Sequence, residues 1–248
     1  MNKEYIFESF IVQQYIAHRG FHNETLPENS LGAFQNAIDN NYAIELDVQL
    51  LKDDTVAVFH DTKLARMTNK DGYIQNLTKE DLVKHKLLDT DYSIPTLEDV
   101  LKLVDGKVGI LIEIKNETTK VGKLEKAVCK LIRNYNGPVA IQSMNPLSLE
   151  WFSKYAPKIL RGQLSYFYND ENAKELSWAK RFVLKRMMLN KRSKPDFISY
   201  SVLNLPNRFI KKYKNLPLIG WTVKSQEQYR QVAKHVDNII FEGFDPKI

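Results

Sequence analysis

Three features of the sequence predict an α/β protein whose parallel strands close into a barrel. Apolar, strand-like runs alternate with helical patterns from end to end of the chain, and such alternation argues for a parallel sheet wrapped by helices. Eight of these runs occur in 248 residues, the size of one eightfold strand–helix unit. Several of them end in acids, imidazoles and guanidines rather than turn residues, as strands do when their tips build a site at a barrel mouth.

The runs end at His18, Val48, Ile114, Met144, Ser165, Val202, Val223 and Phe241. Helical spacing begins at 31–39 (LGAFQNAID), which Asn29 or Ser30 can cap. It returns at 96–104 behind Pro95, with Thr96 as N-cap. Further helices are expected at 124–135, 145–155, 207–213 and 225–235. The whole therefore reads as a TIM-type (β/α)8 barrel, one domain over 1–248. An open doubly wound sheet is the alternative, but it lacks a Gly-rich first turn of the dinucleotide type.

One strand breaks the alternation. Residues 55–60 follow 45–51 after only Lys52, Asp53 and Asp54. A parallel crossover needs a dozen or more residues, so this pair should be an antiparallel hairpin that returns His60 toward Glu45 and Asp47. The polar stretch 61–94, with Asp71-Gly72, then reads as a small insertion above the barrel mouth.

Composition is that of a globular chain, 43% hydrophobic and 27% charged. No run approaches the roughly 20 apolar residues of a membrane-spanning helix. Residues 1–14 carry Glu4 and Glu8 and no apolar h-region, so they do not read as a signal peptide. The single cysteine, Cys129, excludes an internal disulfide framework; a buried helical position and a cytoplasmic location are expected. The net charge of +6 suits an anionic partner. No nucleic-acid-binding module is recognisable. The dense basic run 180–194 reads as a solvated helix face, or as a weak membrane-surface contact through Phe182, Met187 and Met188.

Side chains alternate along a strand, so Glu45 and Asp47 share a face, as do Glu113 and Lys115. Three carboxylates converging inside a barrel repel one another unless a cation joins them. Hard oxygen donors favour Mg²⁺, Ca²⁺ or Mn²⁺ over zinc. His18 and His60, both at strand ends, suit paired proton transfer. Arg19 and Lys115 suit the non-bridging oxygens of a phosphate. Trp221 stands at a strand tip where it either lines a substrate or packs as a core aromatic; Gln142 and Ser143 are weaker candidates. The Pro27-Glu28-Asn29-Ser30 segment reads as a helix start, with Glu28 near enough to orient His18.

These segments together resemble the glycerophosphodiester phosphodiesterase family, whose pattern runs His-Arg-Gly, Pro-Glu-Asn-Ser/Thr, Glu-x-Asp, His-Asp, Glu-x-Lys. All five occur in order, at His18-Arg19-Gly20, Pro27 to Ser30, Glu45 to Asp47, His60-Asp61 and Glu113 to Lys115. The resemblance implies hydrolysis of a small glycerophosphodiester to glycerol 3-phosphate and an alcohol, with a divalent metal. It assigns acid/base chemistry to His18 and His60, metal ligation to Glu45, Asp47 and Glu113, and phosphate binding to Arg19 and Lys115, with Trp221 and Gln142 as further substrate contacts. A lysophospholipase D-type reaction at a membrane surface is the alternative. At the C-terminus, Phe241-Glu242-Gly243-Phe244-Asp245-Pro246 stands where the family more often has Thr-Asp-Tyr-Pro. That departure is expected to touch substrate contacts of the last loop and not the catalytic set.

Overall fold

A computed structural model describes residues 3–248; Met1 and Asn2 lie outside the described residues. One sheet contains β1 (Ile16–Ala17), β2 (Ala43–Leu50), β3 (Val56–Val58), β4 (Ile110–Ile114), β5 (Val139–Ser143), β6 (Leu160–Ser165), β7 (Phe197–Ser201), β8 (Leu218–Val223) and β9 (Asn238–Phe241). Strands β1, β2 and β4 to β9 pair in parallel, and β1 bonds both β9 and β2, which closes an eight-stranded barrel. β3 alone is antiparallel, paired with β2 through Val48–Val58 and Leu50–Val56. The short β1 leaves the upper edge of β2 open, and β3 occupies it.

The alternation of each strand divides the core in two. Ile44, Leu46 and Val48 of β2, with Ile110, Ile112 and Ile114 of β4, face outward beneath the surrounding helices. Ala43, Leu111, Ala140, Leu160, Phe197 and Ile219 fill the lower barrel interior. Gly162 makes room there, because a Cβ would lie 2.1 Å from the Phe197 ring. The polar residues stand above this apolar floor, one layer nearer the C-terminal ends of the strands.

The helices start where short polar side chains satisfy free amides. Ser30 caps Leu31–Asp39 by accepting from the Ala33 amide, and Thr96 forms a capping box with Asp99 ahead of Leu97–Val104. Asn145 caps Pro146–Tyr155, and Ser225 caps Gln226–Val232. Cys129 is buried in Lys123–Ile132. The helix expected at 207–213 shrinks to one 3-10 turn, Lys211–Tyr213. Phe209, Ile210 and Tyr213 pack instead against Met187, Ile198 and Tyr200, and the adjacent lysines supply no favourable pairing within a helix. The basic run forms Trp178–Lys185 and Asn190–Ser193.

Two features went unanticipated. Short helices at Lys3–Phe7 and Phe10–Gln13 plug the barrel floor, with Ile6 and Ile11 buried in the lower interior. Asn238 fastens the plug by donating to the Ile11 and Gln14 carbonyls at 2.8 and 2.6 Å. The insertion after β3 also has its own apolar cluster, in which Leu64, Met67, Ile74 and Leu82 gather around Phe59.

Candidate active site

Register brings the carboxylates together. In the β2–β4 ladder Asp47 lies opposite Glu113, and two residues earlier Glu45 shares the same inward face. Oxygens of Glu45, Asp47 and Glu113 fall within 4.8 Å of one another, and all three residues are buried. Burial pushes Glu45 well above the usual carboxylate range, and the neighbouring Asp47 and Glu113 charges push it further. Glu113 is raised by burial as well, against the pull of Lys115. Asp47 is equally buried, but His60, Lys115, Arg19 and His18 outweigh that and hold it below its ordinary value. Such a cluster is short of positive charge at its centre, and its all-oxygen donor set fits a hard divalent cation.

Partners fix each acid. The Arg19 amide donates to Glu45 at 3.1 Å from a residue in the left-handed region. Gln142 donates to Glu45 at 3.3 Å and accepts from Ser199 at 2.8 Å. Asn29, also left-handed, donates to Asp47 at 3.0 Å. Lys115 Nζ lies 3.1 Å from Glu113 and 3.8 Å from Asp47, and these acids keep it protonated despite its burial. Arg19 is paired with Glu28 at 2.8 Å and with Asp47 at 3.3 Å.

Each histidine is gripped through Nδ1 by a carboxylate. His60 Nδ1 is 2.7 Å from Asp61, whose pKa falls to about 2 as Arg66 and His60 bonds overcome burial. The Phe59 amide donates to the Asp47 carbonyl at 2.9 Å, so the hairpin does return His60 to the level of the acids. Gln49 clamps the turn there, its amide donating to the carbonyls of Phe59, His60 and Asp61. His18 Nδ1 is 2.5 Å from Glu242, and Lys224 lies 3.0 Å from the other Glu242 oxygen. Burial lowers the His18 pKa, and the Glu242 hydrogen bond opposes that without cancelling it. The His18 bond and Lys224 hold Glu242 far below the carboxylate range. With Nδ1 donating to a carboxylate, Nε2 of each neutral ring is its free acceptor.

A cavity of about 430 Å³ opens over these groups, lined by both histidines, Glu45, Glu113, Lys115, Gln142 and Trp221. Met144 and Leu164 form an apolar part of its wall. Trp221 meets Tyr166 edge to face at 6.1 Å, and its buried Nε1 has no partner among the described residues. Ser143 points away from the cavity to the Ile114 carbonyl.

Glu28 does not orient His18. It bridges Arg19 and Arg66, while Arg66 also holds Asp61, so one chain of ion pairs runs from Arg19 to His60. The orienting acid is Glu242, in the C-terminal segment that departs from the family pattern. That departure therefore reaches the His18 environment, contrary to expectation. Glu242 was detectable by the signal that marked the others, an acid directly after an apolar strand. Asn29 and Gln49 carried no such signal.

A closed parallel barrel thus carries at its strand C-termini an acid cluster that could hold a metal ion, two carboxylate-held imidazoles and the side-chain cations Arg19 and Lys115. The model of the glycerophosphoryl diester phosphodiesterase family matches residues 18–245, and the chain belongs to that family. It is 37% identical to a glycerophosphodiester phosphodiesterase of Bacillus altitudinis over 58% of this chain and 62% of that one. With that of Caldanaerobacter subterraneus subsp. tengcongensis it shares 36% identity over 60% and 65% of the two chains. The matches thus span less than two thirds of these relatives' length. Among solved structures, the Thermotoga maritima glycerophosphodiester phosphodiesterase superposes with a TM-score of 0.71 at 25% identity, over 92% of this chain and 93% of that one. An Oleispira antarctica phosphodiesterase in complex with the product sn-glycerol-3-phosphate gives 0.76 at 20% identity, over 95% and 94%. It shares the barrel.

Proposed function

We propose that the protein hydrolyses glycerophosphodiesters to glycerol 3-phosphate and an alcohol, with Glu45, Asp47 and Glu113 holding a divalent cation, Mg²⁺, Ca²⁺ or Mn²⁺. The observation that carries this reading is a buried triple-carboxylate cluster that reaches one cavity through Glu45 and Glu113, where two histidines, each held through Nδ1, also stand. A cation bound there supplies Lewis-acid polarisation of a phosphoryl oxygen and acidifies a bound hydroxyl.

The chain's own groups do the rest. Arg19 and Lys115 neutralise the phosphate and orient it. One histidine takes the proton of the attacking hydroxyl through Nε2. The other, entering as the imidazolium, donates its Nε2 proton to the departing alkoxide as the phosphorus–oxygen bond breaks, so over the full reaction a diester and one water yield glycerol 3-phosphate and an alcohol. Each proton transfer contributes about 10²–10⁴-fold. Trp221, Met144 and Leu164 give the alcohol end an apolar wall. The 1–248 chain is read as one such barrel unit with 61–94 as its insertion, and a cytoplasmic location rests on the lone Cys129.

The test is a panel of glycerophosphocholine, glycerophosphoethanolamine and glycerophosphoglycerol, with each metal added to chelator-treated protein and the products identified. Glycerol 3-phosphate release should require metal and disappear in His60→Ala. Release that ignores the chelator, or survives intact in His60→Ala, overturns the assignment. A second reading, the same cleavage on lysophospholipids at a bilayer, is favoured by the apolar cavity wall and by exposed Trp178.

A further inference from the structure

The net positive charge of the chain comes from one segment. Residues 178–214 hold eleven of the 36 Lys and Arg but one acid, Asp196, a net of +10; the remainder, with 25 cations and 29 acids, is net −4. Asp196 is committed to Arg161 at 3.5 Å, and of the eleven cations only Arg192 has an acidic partner, Glu150, among the described residues. Free cations at this density are not explained by ion pairing within the fold.

Apolar side chains emerge among them. Trp178 is 75% exposed, Leu203 82%, Met188 52% and Phe182 44%. The helix Trp178–Lys185 buries none of its residues, so it contributes little to the core and much to the surface. Its segment and the one that follows β7 form one unit. Asn204 accepts from the Phe167 amide at 2.9 Å, Lys212 donates to the Arg186 carbonyl at 2.8 Å and Tyr213 to that of Met187 at 3.0 Å. Both segments begin at strand C-termini, the end of the barrel that carries the cavity, and Tyr166, at the root of the first, touches the cavity-lining Trp221.

We propose that this surface docks the protein on anionic lipid bilayers, with Trp178 and Leu203 entering the interface and the surrounding Lys and Arg meeting lipid phosphates. A bilayer fits better than a nucleic acid. Two of the ring faces that bases could stack on are already taken, since Arg186 covers Phe182 at 3.6 Å and Lys185 covers Phe167 at 4.1 Å. Leu203 and Met188 offer a phosphodiester chain nothing, whereas exposed Trp and Leu ringed by cations are what an interfacial surface presents to lipid. A second copy of the same patch would meet +10 with +10. The inference deepens the proposed function, for it would deliver the active site to substrates carried in or shed from a membrane, but docking is read without turnover.

The experiment is co-sedimentation of the full chain, with chelator present to silence hydrolysis, on vesicles of phosphatidylglycerol and phosphatidylcholine in varied ratio. Binding should rise steeply with phosphatidylglycerol and fall with salt. The variant K180Q/R181Q/R208Q/K211Q should weaken it about 600-fold, given that each of its four cations contributes about fivefold near an anionic surface. Trp178→Ala should weaken it about tenfold even at low salt. Both variants should keep the wild-type melting temperature and hydrolysis of soluble substrate. Equal binding to pure phosphatidylcholine, or binding unchanged in the charge variant, overturns the proposal. So does capture of an RNA oligonucleotide by the same lysines without any vesicle binding. Loss of hydrolysis with docking intact would instead count against the catalytic reading alone.

Discussion

Two histidines of the same type sit in unlike settings, and the difference is chemical. His60 belongs to a half-exposed network with Asp61 and Arg66. His18 is the more deeply set of the two and depends on Glu242 to offset desolvation. Removing that acid should therefore lower the His18 pKa further. We expect Glu242→Gln to move the limb of the pH–rate profile that His18 governs toward lower pH, whichever proton it transfers, and to reduce kcat more than KM. A profile that keeps its shape while activity falls would mark Glu242 as structural only. Arg19 illustrates a second point at this scale. Its left-handed backbone is tolerated because its amide bonds Glu45 while its guanidinium reaches Glu28 and Asp47, so one residue satisfies three acids.

Among the elements, the β2–β3 hairpin matters most to the site. It anchors His60 at two points, through the Phe59 amide on Asp47 and through the Gln49 side chain on three successive carbonyls. Phe59 itself is 1% exposed and central to the apolar cluster of the insertion. Phe59→Ala should cost about 3–5 kcal/mol of unfolding free energy, measurable by chemical denaturation. It should also lower kcat although His60 is intact, because the loosened hairpin no longer holds the imidazole over the acids. Phe59→Leu should recover most of both losses. A destabilised Phe59→Ala enzyme with wild-type kcat would separate the insertion from catalysis.

On the scale of the whole molecule, the barrel places an apolar floor and plug at one end and charge at the other. Ile11 is fully buried in the plug, far from the cavity by topology. Ile11→Ala should cost about 2–5 kcal/mol and leave kcat and KM of the folded enzyme unchanged. The acid cluster couples stability to pH and, in the proposed function, to metal. Glu45 titrates above its ordinary 4.5 in the folded chain, so the fold retains a proton there that the unfolded chain loses. Stability from this group is complete below 4.5 and is lost as pH rises toward the folded value. A cation held there would take the place of that proton, so the rise in melting temperature given by Mg²⁺ or Mn²⁺ should grow with pH above 4.5. The gain should shrink sharply in Glu45→Gln. A metal shift identical in that variant would exclude Glu45 as a ligand.

Strand order, the helix caps and the hairpin were legible because each is written in residues close together in sequence. Period-two runs mark the strands, Ser30 and Thr96 mark helix starts, and a three-residue link at Lys52 to Asp54 forces an antiparallel return. The residue types of the carboxylate cluster and the two imidazoles were legible for the same reason, as charges standing where turn residues belong. Only the tertiary structure decided who partners whom. Glu242 rather than Glu28 holds His18, across 224 residues of sequence. Asp47 meets Glu113 through the β2–β4 register, and the first helices fold under the barrel to seal it. Local rules reach about four residues along a helix or two along a strand. Barrel closure and register set these longer-range contacts, and no single segment encodes them.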